Sequence, residues 1–209
     1  LDDREDVHMR ILQSIYKQLT LSSLGCPRYG AHWEELGFQG ADPGTDLRGT
    51  GMWGLLQLLS LVMDPQTLPL ARDIFKLSQH ETQASSFFPF CLMSINITQL
   101  ILQALREERL SRLCNQQQEV IPVLNQLHAA AFLQLSHRWR EQHRTIADSS
   151  LALRELELST KKKPKQLLKS LEAYRSQSPQ QPSLRARQEL HFTNICEPQV
   201  ELEGEASLI

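Results

Sequence analysis

Apolar residues recur along most of this chain at the spacing of three and four residues that places them on one face of an α-helix. No stretch alternates apolar and polar residues as a half-buried strand would, and β-branched residues are few. The pattern predicts helices over residues 2–20, 52–63, 68–79, 89–105, 119–143, 149–158 and 164–174. We therefore expect an all-α fold, with a single compact multi-helix domain over residues 1–176.

Two of these helices differ in how their apolar residues are distributed. The first is amphipathic, whereas the helix over residues 89–105 is apolar on nearly all sides, which predicts a central position for it. Ser85 or Ser86, followed by Pro89, should open the central helix, and the charged residues 106–113 should close it. The first helix is expected to bury Val7, Ile11, Leu12, Ile15, Tyr16 and Leu19.

The end of the chain has a different composition. Residues 177–209 are rich in proline, glutamine and acidic side chains, which predicts a disordered C-terminal tail. A basic patch at residues 161–165, Lys-Lys-Lys-Pro-Lys, precedes this tail. Such a patch could direct nuclear import or contact an anionic surface, but its place between two predicted helices favours a solvated linker.

Glycine is concentrated in one stretch: eight of the nine glycines fall between Gly25 and Gly54. Glycine costs backbone entropy where it is merely tolerated, so this clustering indicates a loop that needs positive φ angles or close backbone approach. A loop as long as residues 21–50 usually has a function in a compact domain. Thr45, Asp46 or Thr50 could cap the helix that follows it.

The order of residues in this loop resembles the signature of the ELMO-domain-containing proteins. The matching positions are Trp33, Gly37, Phe38, Gln39, Pro43, Thr45, Asp46, Arg48, Gly49, Gly51, Leu55 and Leu58. The resemblance covers residues 2–175 and implies an all-helical ELMO-type domain. It also implies a GTPase-activating protein for ARF and ARF-like small GTPases, in which Arg48 is the catalytic arginine finger.

An arginine finger has a clear physical role. In GTP hydrolysis negative charge spreads over phosphate oxygens, and an inserted guanidinium stabilises that charge with a planar fork that lysine lacks. The alternative is structural, with Arg48 holding the loop down through Asp46 or Asp42. The full signature favours the finger.

The other signature residues have a functional and a structural interpretation each. Asp46 is expected to support the loop or cap the next helix rather than to orient Arg48. Gln39 is expected to make a structural hydrogen bond rather than to position the partner's attacking water. Trp33 and Phe38 should hold the loop as buried anchors rather than contact a partner. Loop support or partner binding is also expected of Gly37, Pro43, Thr45, Gly49 and Gly51.

Other functions find less support. The related engulfment-and-motility proteins imply an alternative, a non-catalytic adaptor in a small-GTPase pathway. Residues 49–54 spell GxGxxG, but no strand precedes them, so a dinucleotide fold is not expected. We expect neither a metal site nor a cofactor in this chain, because GTP and Mg²⁺ would belong to the partner GTPase.

Composition restricts the expected partners and cellular location of the protein. The net charge of −2 and the pI near 6.4 give no broad attraction to nucleic acid. The sequence has no run of eighteen apolar residues, so no membrane span is expected. The four cysteines form no CxxC pair, which favours a reducing, cytoplasmic location, and the resemblance adds association with the cytoskeleton or cell projections. The chain opens at Leu1 without methionine, so we expect a fragment whose preceding signals are not visible.

Overall fold

The computed structural model describes residues 1–79 and 88–177. The α-helices of this part are α1 Asp6–Thr20, α2 His32–Glu35, α3 Met52–Met63, α4 Leu68–Gln79, α5 Phe90–Arg106, α6 Ser111–Gln117, α7 Ile121–Glu141, α8 Ser149–Lys162 and α9 Pro164–Gln177. Two 3-10 helices lie at Pro43–Gly49 and Ile146–Asp148. Within the described residues there is no strand, and the all-α prediction is confirmed.

Helix α5 lies at the centre of the bundle, as its apolar sequence predicts. It packs against α3, α7 and α8 and contacts the 3-10 helix at Pro43–Gly49. The rings of Phe90 and Phe132 stack across the contact with α7, with their centroids 4.9 Å apart. Helix α9 covers α7, and α1 covers α3. The glycine-rich loop is therefore placed at one end of the central helix.

Helices α3 and α4 have the predicted bounds, and Pro122 lies in the first turn of α7 as expected. Helix α1 begins later than predicted, because the Asp2 carboxylate accepts hydrogen bonds from the backbone and side chain of Arg4 and holds that segment in a turn. Val7 is 58% exposed, so its expected burial is wrong, and Tyr16 is only partly buried.

Three further predictions need correction. The loop over residues 21–50 contains helix α2 and the first 3-10 helix rather than irregular chain alone. The charged segment that was expected only to end α5 leads into a short helix, α6. The predicted start of α5 at Ser85 or Ser86 lies outside the described residues.

The basic patch is not a solvated linker throughout. Lys161 and Lys162 form the last turn of α8, and α9 begins at Pro164. The Lys161 ammonium binds the carboxylates of Glu107 and Glu157, each at 2.7 Å. Lys161 is therefore a structural contact between α8 and the end of α5.

Helix α9 continues to Gln177, so the domain boundary predicted at residue 176 falls in its last turn. The residues predicted to form a tail lie outside the described part from residue 178 onward. No described helix combines the length and hydrophobicity that crossing a membrane requires.

Candidate functional site

The loop begins on two buried aromatic side chains. Trp33 is fully buried and Phe38 is 4% exposed, and their rings meet edge to face at 6.0 Å. The Trp33 indole N–H donates to the backbone carbonyl of Arg28 at 3.0 Å. Because both side chains are enclosed, neither is presented on the surface to a partner.

Gly37 joins the loop to the central helix. Its φ angle is +87°, and a Cβ atom added there would lie 2.3 Å from the backbone nitrogen of Phe90. Only glycine fits this approach. The carbonyls of Leu36 and Gly37 accept the backbone N–H groups of Cys91 and Leu92, each at 3.0 Å. The loop thus caps α5, whose N-terminus has no side-chain cap.

The 3-10 helix at Pro43–Gly49 starts at Asp42, whose Oδ1 accepts the Gly44 N–H at 2.8 Å. Exposed Thr45 donates its hydroxyl to the Asp42 carbonyl at 2.9 Å, and Pro43 is buried. Burial alone would raise the pKa of Asp42, but the Gly44 N–H and the Arg28 guanidinium outweigh it and hold the pKa below its usual value. Asp42 is therefore the charged cap of this helix.

Helix α3 begins without any of its predicted caps. Its N-cap is Gly51, with φ +58° and ψ −153°, a conformation open to glycine alone, and no side chain caps it. The candidates Thr45, Asp46 and Thr50 all point elsewhere: the Thr50 hydroxyl, for example, lies 3.4 Å from the Gly51 carbonyl. A backbone bond from the Gly51 N–H to the Leu47 carbonyl, 2.7 Å long, fixes the junction instead.

Asp46 supports the loop from inside. Its Oδ2 accepts the backbone N–H of Gln39 at 2.9 Å, whereas its buried Oδ1 has no hydrogen-bond partner among the described residues. Gln39 thus makes a structural hydrogen bond, as expected, but through its backbone N–H. Its side chain is exposed and makes no hydrogen bond with the described part of the chain. Burial first, and the Asp46 charge second, raise the pKa of the Cys91 thiol.

Arg48 lies in the last turn of the 3-10 helix and its side chain is exposed. It forms no hydrogen bond or ion pair with any residue that the structure describes. Of its two expected partners, Asp42 is paired with Arg28, and Asp46 accepts the Gln39 N–H through one oxygen while its other oxygen is buried away from solvent. Gly49 and Gly51 beside it are exposed as well. This guanidinium is free to meet an anion from another molecule.

Arg28, which the sequence did not single out, is the cation that holds the loop. Its Nη1 lies 2.8 Å from Asp42 Oδ1 and its Nε lies 2.9 Å from Asp3 Oδ1. The Arg28 side chain is only 16% exposed. No local pattern could have revealed it, because its partners are distant in sequence on both sides.

Two cavities flank the described chain. One of about 250 Å³ lies beside Asp64, Asn125 and Arg175, and one of about 240 Å³ lies beside Asp3, Arg28 and Tyr29; neither is lined by a residue from Trp33 to Gly51. The described residues contain no cluster of histidine, cysteine or carboxylate side chains that could hold a metal ion.

Comparison with known proteins agrees with this architecture. A family model described as "ELMO/CED-12 family" matches residues 1–153. A human protein named "ELMO domain-containing protein 3" is 59% identical over 174 residues, which cover 83% of this chain and 45% of that protein. Its bovine namesake is 51% identical over 94% of this chain and 54% of its own length.

A more distant relative, the human "ELMO domain-containing protein 2", is 30% identical over 49% of this chain and 33% of its own length. The chain therefore spans about half the length of the curated relatives that resemble it most strongly among those named here. No solved structure matches it.

Proposed function

This chain belongs to the ELMO/CED-12 family, and we propose that it is a GTPase-activating protein for ARF or ARF-like small GTPases. In this proposal Arg48 enters the partner's nucleotide site as an arginine finger. The nucleotide and the metal ion would belong to the partner, which hydrolyses its own GTP. The loop from Trp33 to Gly51 holds the finger and forms the docking surface.

The unpaired, exposed guanidinium of Arg48 carries this proposal. A structural arginine would be satisfied by the carboxylates beside it, and here Asp42 and Asp46 bind other groups. A finger must instead keep its donors free until the partner's phosphate oxygens arrive. The loop is held by its buried aromatic residues Trp33 and Phe38, by the backbone bonds to α5 and by the Arg28–Asp42 pair. This support is the second argument, because a catalytic group has to be held by its surroundings.

Stimulated GTP hydrolysis tests the proposal. GTP-loaded ARF and ARF-like GTPases are mixed with the 209-residue chain, and phosphate release is followed in a single turnover. Known fingers contribute about 10³- to 10⁵-fold to the rate, so we expect Arg48→Ala to abolish most of the stimulation. Arg48→Lys should recover little of it, since lysine keeps the charge but loses the fork.

The matched control is Arg140→Ala, which removes an exposed arginine from the last turn of α7 and changes the net charge equally. It should stimulate like the wild type, and all variants should melt at the same temperature. Undiminished stimulation by Arg48→Ala would remove this residue from the mechanism. Capture of a GTPase without any change of rate would support the adaptor function instead.

We also propose a cytoplasmic location, with association with the cytoskeleton or cell projections as the finer expectation. The three described cysteines, Cys26, Cys91 and Cys114, are buried free thiols, a state that a reducing compartment maintains.

A further inference from the structure

We propose that Arg28 is a positioning residue for Arg48, acting through Asp42 on the 3-10 helix from which the finger projects. This inference rests on the proposed function. Arg28 lies in the loop before the signature residues, and its side chain meets Asp42 only through the fold. Its role would be to fix the direction of the helix, and not to contact the GTPase.

The Arg28 guanidinium bridges two carboxylates through different nitrogen atoms. Nε donates a hydrogen bond to Asp3 in the segment before α1, at 2.9 Å, and Nη1 forms an ion pair with Asp42 at 2.8 Å that is not aligned as a hydrogen bond. The guanidinium also lies over the ring of Tyr29, 4.5 Å from its centroid, and the Tyr29 hydroxyl donates to the second oxygen of Asp3. Arg28 and its neighbour Tyr29 are thus both tied to Asp3 in the N-terminal segment.

Asp42 transmits this restraint to the 3-10 helix. The oxygen that binds Arg28 also accepts the Gly44 N–H, and the Asp42 carbonyl accepts both the backbone N–H and the hydroxyl of Thr45. The first turn of the helix is therefore anchored to the guanidinium. The far end has a separate support, the bond from the Gln39 N–H to Asp46.

Release of the start of the helix leaves Asp46 as the remaining pivot. At about 2 Å of rise per residue, Arg48 lies roughly 4 Å beyond Asp46 along the axis, so a tilt of about 15° around this pivot would move its backbone by about 1 Å. A misplacement of about 1 Å can cost about 100-fold in rate. With the support at Asp46 retained, we expect removal of the Arg28 bridge to lower the maximal stimulated rate by about 10- to 100-fold.

Arginine is required because one side chain must reach both carboxylates at once. Lysine offers a single ammonium and could keep only one of the two contacts. The backbone of residue 28 has its own anchor, since its carbonyl accepts the Trp33 indole N–H. Arg28→Met should therefore keep the surrounding fold while removing the bridge.

The test measures the stimulated rate as a function of the concentration of the 209-residue chain, with GTP-loaded ARF-like GTPase as the probe. The variants are Arg28→Met, Arg28→Lys and Asp42→Asn, the last of which keeps an oxygen to cap Gly44 but loses the charge. Arg140→Met is the matched control, because it removes an exposed arginine from the last turn of α7, outside the loop and the N-terminal segment. Thermal unfolding checks that each variant is folded.

We expect Arg28→Met and Arg28→Lys to lower the maximal rate while the half-saturating concentration changes by less than about threefold, since residue 28 lies outside the docking surface from Trp33 to Gly51. Asp42→Asn should lower the maximal rate as well. The double variant Arg28→Met/Arg48→Ala should stimulate hydrolysis at the same rate as Arg48→Ala alone, because the effects of residues that act as a unit are non-additive. Hydrogen exchange of the Gly44 and Thr45 amides should accelerate in Arg28→Met and not in the control.

A maximal rate within about twofold of wild type, or a loss carried entirely by weaker binding, would overturn the positioning role. So would an equal loss on the Arg48→Ala background. If the wild-type chain stimulates no GTPase, the proposed function itself fails. If the wild type stimulates and Arg28→Met does so equally, only the positioning role is rejected.

Discussion

Arg28 and Arg48 carry the same charge in opposite surroundings. The Arg28 side chain is mostly buried and paired with two carboxylates, and its removal would leave Asp42 unpaired at the start of a helix. The Arg48 side chain is exposed and without a partner in the described part of the chain. The first arrangement contributes to folding, and the second leaves hydrogen-bond donors available to a ligand.

Gly37→Ala is expected to destabilise the fold, because φ is +87° there and the new Cβ would lie 2.3 Å from the Phe90 nitrogen. We expect a loss of at least about 2 kcal/mol in the free energy of unfolding, measured with denaturant. Gly40→Ala is the control, since no atom lies within 4 Å of a Cβ at that position. A loss at Gly40 as large as that at Gly37 would contradict the explanation.

At the scale of elements, α5 and α7 share a buried polar contact. The Nε2 atom of His128 lies 3.0 Å from the Ser94 hydroxyl and 3.2 Å from the Ser94 carbonyl, and both side chains are enclosed. Burial lowers the pKa of His128 from 6.5 to about 4, although the contact with Ser94 opposes the change. The histidine is therefore neutral in the core at neutral pH.

This histidine makes stability depend on pH. Between pH 6.5 and about 4 the unfolded chain binds a proton at His128 that the folded chain does not, so the free energy of unfolding falls as the pH is lowered. The contribution is about 3 kcal/mol over this range. His128→Gln should flatten the pH dependence of denaturant unfolding by about this amount. Carboxyl groups titrate in the wild type and in His128→Gln alike and add the same pH dependence to both. Identical slopes of the free energy of unfolding against pH would therefore contradict the prediction.

The sequence predicted some elements better than others for physical reasons. Helices α3 and α4 have the predicted bounds because glycines precede the first and Asp64-Pro65 separates the two. Helix α6 was missed because its segment is rich in charged and polar residues, which conceal the buried Leu113 and Cys114. The caps of α3 were wrong because glycine geometry replaced side-chain capping.

Within the candidate site, the signature identified the exposed Arg48 and the residues around it. It did not identify Arg28, because ion pairs between segments distant in sequence leave no periodic trace. Nor could it show that Asp42 and Asp46 were occupied by other groups, which depends on the folded loop.

On the scale of the whole molecule, the compact unit Leu1–Gln177 extends past the family match, which ends inside α8. The last two helices bury Leu156, Leu167, Leu168 and Leu171. Arg144, whose side chain is 7% exposed, binds Glu155 of α8 at 2.7 Å and joins it to the end of α7. These residues make α8 and α9 part of the core.

We therefore expect a chain ending at Gln177 to melt within about 2 °C of the 209-residue chain. A chain ending at residue 153 should not unfold cooperatively, because each buried leucine it loses contributes roughly 1.5 to 3 kcal/mol. Circular dichroism during heating measures both. Equal melting temperatures for the 153- and 177-residue chains would show that residues 154–177, most of α8 and all of α9, add nothing to the stability of the fold.

Under the proposed function, the cap that Leu36 and Gly37 place on α5 restricts how the chain can meet a GTPase. Retraction of the loop would strand two amide donors in a dry environment, at about 1 to 3 kcal/mol each. Any adjustment on contact must then come from the side-chain torsions of Arg48 and from the GTPase itself. Selectivity among GTPases would then be decided by how readily each can open its nucleotide site around the rigid loop that carries Arg48.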